Sequence, residues 1–81
     1  MNIYVGNLNY KLQESELEEV FSEYGEVSSV KLIKDKYTGK AKGFGFVEMP
    51  DDEAATKAID ELDGKELSGR QMKVNKARSR N

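Results

Sequence analysis

The stretch KGFGFVEM, Lys42 to Met49, decides the fold. In an extended strand, successive side chains point to opposite faces. Gly43, Gly45, Val47 and Met49 therefore share one face, and Lys42, Phe44, Phe46 and Glu48 share the other. Val47 and Met49 mark the core side. Two phenylalanines then lie on the opposite side beside a lysine, which a small domain rarely tolerates unless that face meets a partner.

Working outward, NIYVG has Ile3 and Val5 on one side and Asn2 and Tyr4 on the other, a short strand. From Glu14 to Tyr24 the period changes. Leu17, Val20, Phe21 and Tyr24 form one helical stripe, with Glu14 and Glu16 near the positive end of the helix dipole and Gly25 as a left-handed stop. The helix glutamates read as a solvated face. Val27 to Lys34 is a second strand, with Val30 and Leu32 inward and Ser29, Lys31 and Ile33 outward. DKYTGKAK is a turn-rich basic loop with a Thr38–Gly39 tip, and Lys36 and Lys40 within it, with Lys34 just before it, read as solvated and mobile. After the third strand Pro50 breaks the chain, and Asp51 or Asp52 can cap a helix with Ala55, Ala58, Ile59 and Leu62 on one stripe, ended by Gly64. Ser68–Gly69 marks a turn. Gln71 to Asn75 is the last strand, with Met72 and Val74 inward and Lys73 and Asn75 outward.

The order is strand–helix–strand–strand–helix–strand. Each helix has a single apolar stripe, so both cover one face of one sheet, in an α+β, split βαβ (ferredoxin-like) fold. The inward glycines Gly43 and Gly45 are expected to let the alanines of the second helix approach closely.

The totals allow one small domain. The chain has 81 residues and no cysteine, so no disulfide or thiolate metal site supports it, and no histidine. No apolar run approaches a membrane span and no basic start precedes one, which predicts a soluble, cytoplasmic protein. The net charge is −2, but it is unevenly spread. Residues 1–30 carry −5, residues 31–42 carry +4, residues 43–66 carry −6 and residues 67–81 carry +5. Screening beyond roughly 8–10 Å makes the local block matter more than the total.

With both helices on one side, strand parity leaves Tyr4, Lys31, Ile33, Lys42, Phe44, Phe46, Glu48, Lys73 and Asn75 on an uncovered face. Three aromatics and three lysines stand there against one acid. Rings interleaved with cations suit single-stranded nucleic acid, with bases stacking on rings while lysines meet phosphates. A flat sheet offers no helix for a major groove.

These residues carry a resemblance. Lys42–Met49 resembles the octamer of the RNA recognition motif family, K/R-G-F/Y-G/A-F-V-x-F/Y. IYVGNL, Ile3 to Leu8, is similar to the hexamer on that family's first strand, and FSEYGEV, TGKAKGFGFV and AIDELDGKEL have equivalents in it. The resemblance covers residues 2–77. It implies a four-stranded antiparallel sheet whose first and third strands are central neighbours, a domain over residues 1–77 and a short basic tail over 78–81. It implies that Tyr4 and Phe46 each stack a base, that Phe44 packs against sugars between them and that Lys42 meets a phosphate, with Lys31 also among the RNA-contacting residues of the face. Lys73, Asn75, Lys76 and Ala77 would contact bases, partly through main chain. Arg78 and Arg80 either extend the RNA path or form a polar terminus. The implied partner is single-stranded RNA, with single-stranded DNA bound more weakly, by a monomer without a cofactor or a membrane. Met49 departs from the aromatic of the pattern, but its parity is inward, so the change falls on core packing. Asn9, where many members have proline, is expected to matter little. The short ends resemble stand-alone bacterial and organellar members.

Other chemistries fit these residues less well. DDE at 51–53 could suggest a metal, but a helix cap and first-turn anions explain it. GFG lies inside a strand and has no helix start after it, unlike a phosphate loop. Small acyl phosphate hydrolases share the element order, yet the segment NLNYKLQ has only Lys11 where they carry an arginine-bearing loop. Copper chaperones need paired cysteines. No nucleophile–base pair stands out, since Ser15, Ser22 and Ser68 lie in a cap, a helix and a turn. A protein-binding module of the same fold usually loses or covers its sheet aromatics, and all three are present here.

Overall fold

The computed structural model describes residues 1–77. Its elements are β1 (Asn2–Gly6), α1 (Glu14–Ser22), β2 (Ser29–Lys34), β3 (Ala41–Glu48), α2 (Asp52–Leu62), β4 (Glu66–Leu67), β5 (Arg70–Gln71) and β6 (Lys73–Lys76). The main sheet is antiparallel in the order β2-β3-β1-β6, so β1 and β3 lie at its centre. The register sets Ile3 opposite Val47 and Val5 opposite Val74, which places the buried strand residues on one face. Leu17 and Phe21 of α1 and Ala55, Ala58 and Leu62 of α2 join them in one core, with α1 against β2 and α2 against β6. Met49 is fully buried in that core. No helix among the described residues is long and apolar enough to cross a membrane.

Local chemistry explains the boundaries. Asp51 is the α2 N-cap: its carboxylate accepts from the Glu53 N–H at 2.9 Å and the Ala54 N–H at 3.4 Å, taking up donors that the first turn leaves free. Gly64, at φ +85°, ends α2 in the left-handed region. The regular turns of α1 stop at Ser22, two residues before Tyr24, though Tyr24 N–H still donates to the Phe21 carbonyl at 3.0 Å.

Several sequence expectations change. Gly25 is not a left-handed stop, since its φ is not positive. It is a site of close approach instead: a Cβ there would lie 2.7 Å from the Cβ of Ala54. Gly43 and Gly45 do not primarily serve the alanines. A Cβ on Gly43 would first meet the Tyr10 ring at 3.1 Å and the Leu8 carbonyl at 3.2 Å, and one on Gly45 would collide with the Lys31 carbonyl. Gly43 also has φ +84° within an irregular stretch. Between the pairs Leu32–Gly45 and Lys34–Ala41, β2 advances two residues while β3 advances four. The Ser68–Gly69 turn closes a hairpin, β4–β5, that takes in Gln71, so the last strand begins at Lys73 rather than Gln71 and runs one residue further, to Lys76.

Acidic side chains also do more than face water. Glu14 accepts from the Leu32 N–H of β2 at 3.0 Å, and Asp63 accepts from the Val74 N–H of β6 at 3.0 Å. Asn9 is likewise busy: Oδ1 accepts from Lys11 N–H at 2.9 Å and Nδ2 donates to the Ser68 carbonyl at 3.0 Å.

Candidate nucleic-acid interface

The face opposite the helices is built by register. Lys31 pairs with Phe46, Phe46 with Tyr4, and Tyr4 with Asn75, giving one row of outward side chains across all four strands. Phe44 stands two residues along β3 from Phe46, and Lys73 stands beside Gly6. The three rings meet as a cluster. Centroids are 6.0 Å apart for Tyr4 and Phe46, 6.1 Å for Tyr4 and Phe44, and 6.3 Å for Phe44 and Phe46. The two phenylalanines are perpendicular, at 89°, while Tyr4 and Phe44 are tilted by 32°. All three rings are half-buried. Their edges pack on one another, and open ring surface remains for a flat partner.

Tyr4 is laid down by the residue two positions on. A Cβ at Gly6 would lie 2.9 Å from Tyr4 Cε2 and Cζ, and would collide with the hydroxyl. Because Gly6 has no side chain, the Tyr4 ring lies along the strand over it. The hexamer pattern includes this glycine, but parity alone does not reveal that it beds the ring.

The cations surround the rings. Lys31, Lys42 and Lys73 are exposed, and among the described residues none of them is in an ion pair. The one acid on the face, Glu48, sits at the other end of β3 from Lys42, in register with Ser29 and Asn2, where the Ser28 hydroxyl donates to its carboxylate at 3.3 Å. Lys42 and Lys73 thus stand at the end of the face away from its one acid. A shallow concavity runs over the sheet between Lys31 and Asn75, with Phe46 and Tyr4 in its floor and Ser29, Lys76 and Ala77 at its rim.

The remaining sequence candidates differ in placement. Lys76 pairs with the core residue Ile3 and so has the parity opposite to Asn75, leaving chiefly its main chain at the rim. The Ala77 N–H already donates to the Asn2 carbonyl at 2.8 Å, so it is not free for a base. Arg78 lies outside the described residues.

The β2–β3 loop is organised rather than merely solvated. Asp35 Oδ1 accepts from the N–H groups of Tyr37 at 2.8 Å and Thr38 at 3.0 Å, while Asp35 N–H donates to the Lys40 carbonyl and the Asp35 carbonyl accepts from Gly39 N–H, both at 2.7 Å. Those amide donors hold the Asp35 carboxyl below its usual range, with a smaller contribution from Lys42. The loop presents Tyr37, 87% exposed, with Lys36 Nζ 5.7 Å from its ring centroid. Sequence reasoning missed this order because its signal, an Asp two residues before the first amide it binds, is common in turns of many kinds.

Comparison with known proteins points to a family. A family model described as the RNA recognition motif matches residues 3–73. RbpB of Nostoc sp. is 55% identical over 80 residues, a span of 99% of this chain and 78% of the relative. The crystal structure of RNA binding protein PG1 superposes with a TM-score of 0.95 at 48% identity, covering 100% of this chain and 98% of that one. The Rna15 RRM, solved with bound RNA (GU), superposes with a TM-score of 0.85 at 29% identity, covering 96% and 83%.

Proposed function

The chain belongs to the RNA recognition motif family and is an RNA-binding module, and from that premise we propose that it holds single-stranded RNA on the uncovered face of its sheet by stacking and charge. The observation that carries this reading is the ring cluster of Tyr4, Phe44 and Phe46, with centroids 6.0–6.3 Å apart on the face without helices. Tyr4 and Phe46 each take a base, Phe44 packs against sugar between them, and Lys31, Lys42 and Lys73 meet phosphates. Asn75 and the main chain at Lys76 read base edges.

Stacking is worth ~1–3 kcal/mol per base, so three rings supply several kcal/mol, opposed by ordering of the strand. A dissociation constant near micromolar, about −8 kcal/mol, is the expected scale at moderate salt. Three neutralised phosphates give a slope of log K against log salt of roughly −2. DNA binds more weakly where the 2′-hydroxyl is read. Binding is the proposed activity, without catalysis, carried out by a monomer in the cytoplasm; a cysteine-free composition suits that reducing compartment.

The test is fluorescence anisotropy of a labelled random-sequence single-stranded RNA, comparing wild type with the Phe44→Ala/Phe46→Ala variant. Micromolar binding by wild type and its loss in the folded variant is the expected result. Equal binding by both proteins refutes the sheet face as the site.

A further inference from the structure

The corner where β1 ends holds an arrangement that the sheet site does not use. Asn7 has φ +57°, a left-handed conformation that asparagine tolerates better than most side chains. Its amide is engaged at both ends. Nδ2 donates to the Gln71 carbonyl at 2.7 Å, and Oδ1 accepts from Arg70 Nη2 at 2.6 Å. A carbonyl can only receive, so the first bond fixes which way the amide points, and the second follows. The hairpin that carries Arg70 is itself pinned. Ser68 and Gly69 both have positive φ, +52° and +83°, in the tight turn that suits hairpin twist, and Asn9 Nδ2 holds the Ser68 carbonyl.

Arg70 is therefore oriented but not neutralised. Its partner is a neutral amide, in a chain with fifteen acids, and among the described residues no carboxylate lies within ion-pair distance of it. A guanidinium has five N–H donors, and one is taken. The rest belong to an exposed residue whose anchor, Asn7, directly follows Gly6, the register partner of Lys73. A planar fork held in place with its charge intact matches a phosphate in both geometry and sign.

We propose that Arg70, positioned by Asn7, binds a phosphodiester of single-stranded RNA and extends the site beyond Lys73 at the end of β1. This rests on the RNA-binding reading of the sheet. The alternative role for Arg70 is to tie the hairpin to the loop after β1, which would affect folding and not the salt dependence of binding.

The experiment measures affinity for a labelled random-sequence single-stranded RNA across a salt series, with thermal denaturation of each protein. Arg70→Gln should bind more weakly and lower the steepness of log K against log salt by about 0.7, the value for one phosphate on a single strand. Arg70→Lys should keep the wild-type steepness. Lys57→Gln, which removes an exposed charge on α2, should leave it unchanged and serves as the control for net charge. Asn7→Gly keeps the left-handed backbone at no steric cost while removing the amide. It should weaken binding in wild type but add nothing in the Arg70→Gln background, since the two act as one unit. If Arg70→Gln changes the slope no more than Lys57→Gln does, the inference is overturned and the sheet site stands. If wild type binds no RNA, both are overturned.

Discussion

Gly6→Ala tests whether the ring of Tyr4 works as a flat platform. The added Cβ would sit 2.9 Å from two ring carbons and closer still to the hydroxyl, where ordinary contact begins near 3.4 Å. The ring must lift by about 0.5 Å or more, because it is rigid and its neighbours Phe44 and Phe46 block sideways escape. Binding constellations lose function at displacements of about 0.5 Å. Losing one stacked base removes ~1–3 kcal/mol, or about a 5- to 150-fold weaker dissociation constant. Folding should be spared. Gly6 is not in the left-handed region, so alanine is compatible with its backbone, and the gain from a less flexible unfolded chain is ~0.4–1 kcal/mol. Anisotropy with single-stranded RNA and urea denaturation measure the two quantities separately. The Tyr4→Ala variant supplies the second arm: adding Gly6→Ala to it should cost nothing further in binding. Wild-type affinity in Gly6→Ala, or full additivity with Tyr4→Ala, would refute the reasoning.

Neighbouring positions on β3 should separate function from stability. Phe46→Ala should weaken RNA binding about 5- to 150-fold at ~0.5–1.5 kcal/mol in stability from lost ring packing, whereas the fully buried Val47→Ala should cost about 1–3 kcal/mol in urea denaturation and little binding. Gly25→Ala should destabilise by ~1–3 kcal/mol, since its Cβ meets the Ala54 Cβ at 2.7 Å; an unchanged urea midpoint would show that α2 yields there. Asp35 has a lowered carboxyl pKa in the folded loop, so the ordering it provides is complete above the unfolded value and fades as pH falls through the folded one. The Tyr37 and Thr38 amide resonances should hold steady through the ordinary carboxylate range and titrate only below it. Titration within the ordinary range would mean that the loop does not hold the carboxylate.

Much of the fold was legible because burial imposes a period. Ile3, Val5, Val47 and Val74 lie inward at every second position, and Leu17, Phe21, Ala55, Ala58 and Leu62 follow the helical repeat. The same parity brought out Tyr4, Phe44 and Phe46 as a group before any geometry was known. What stayed hidden depends on contacts between distant residues. Asn7 and Asn9 look like loop residues in isolation, yet each bonds the β4–β5 hairpin some sixty positions away. Gly25 reads as a helix stop until Ala54 is seen beside it. Gly43 and Gly45 read as clearance for alanines, whereas their nearest neighbours belong to the loop after β1 and to β2. Glycine marks a close approach without saying what approaches.

The two carboxylates that reach back to the sheet have a consequence for how the protein behaves in company. β2 and β6 are outer strands, and an outer strand offers a template on which another molecule's strand can add. A sheet that leaves three rings uncovered is especially exposed to such stacking into oligomers and fibrils. Glu14 occupies the outward Leu32 N–H on one border and Asp63 the outward Val74 N–H on the other. An incoming strand would have to evict a charged acceptor on either side, and its own carbonyls would face that negative charge as they tried. The irregular pairing of β2 with β3 further bends the first border out of register. The borders are thus guarded by side chains anchored on or just after the helices, while the broad face between them keeps its three rings uncovered.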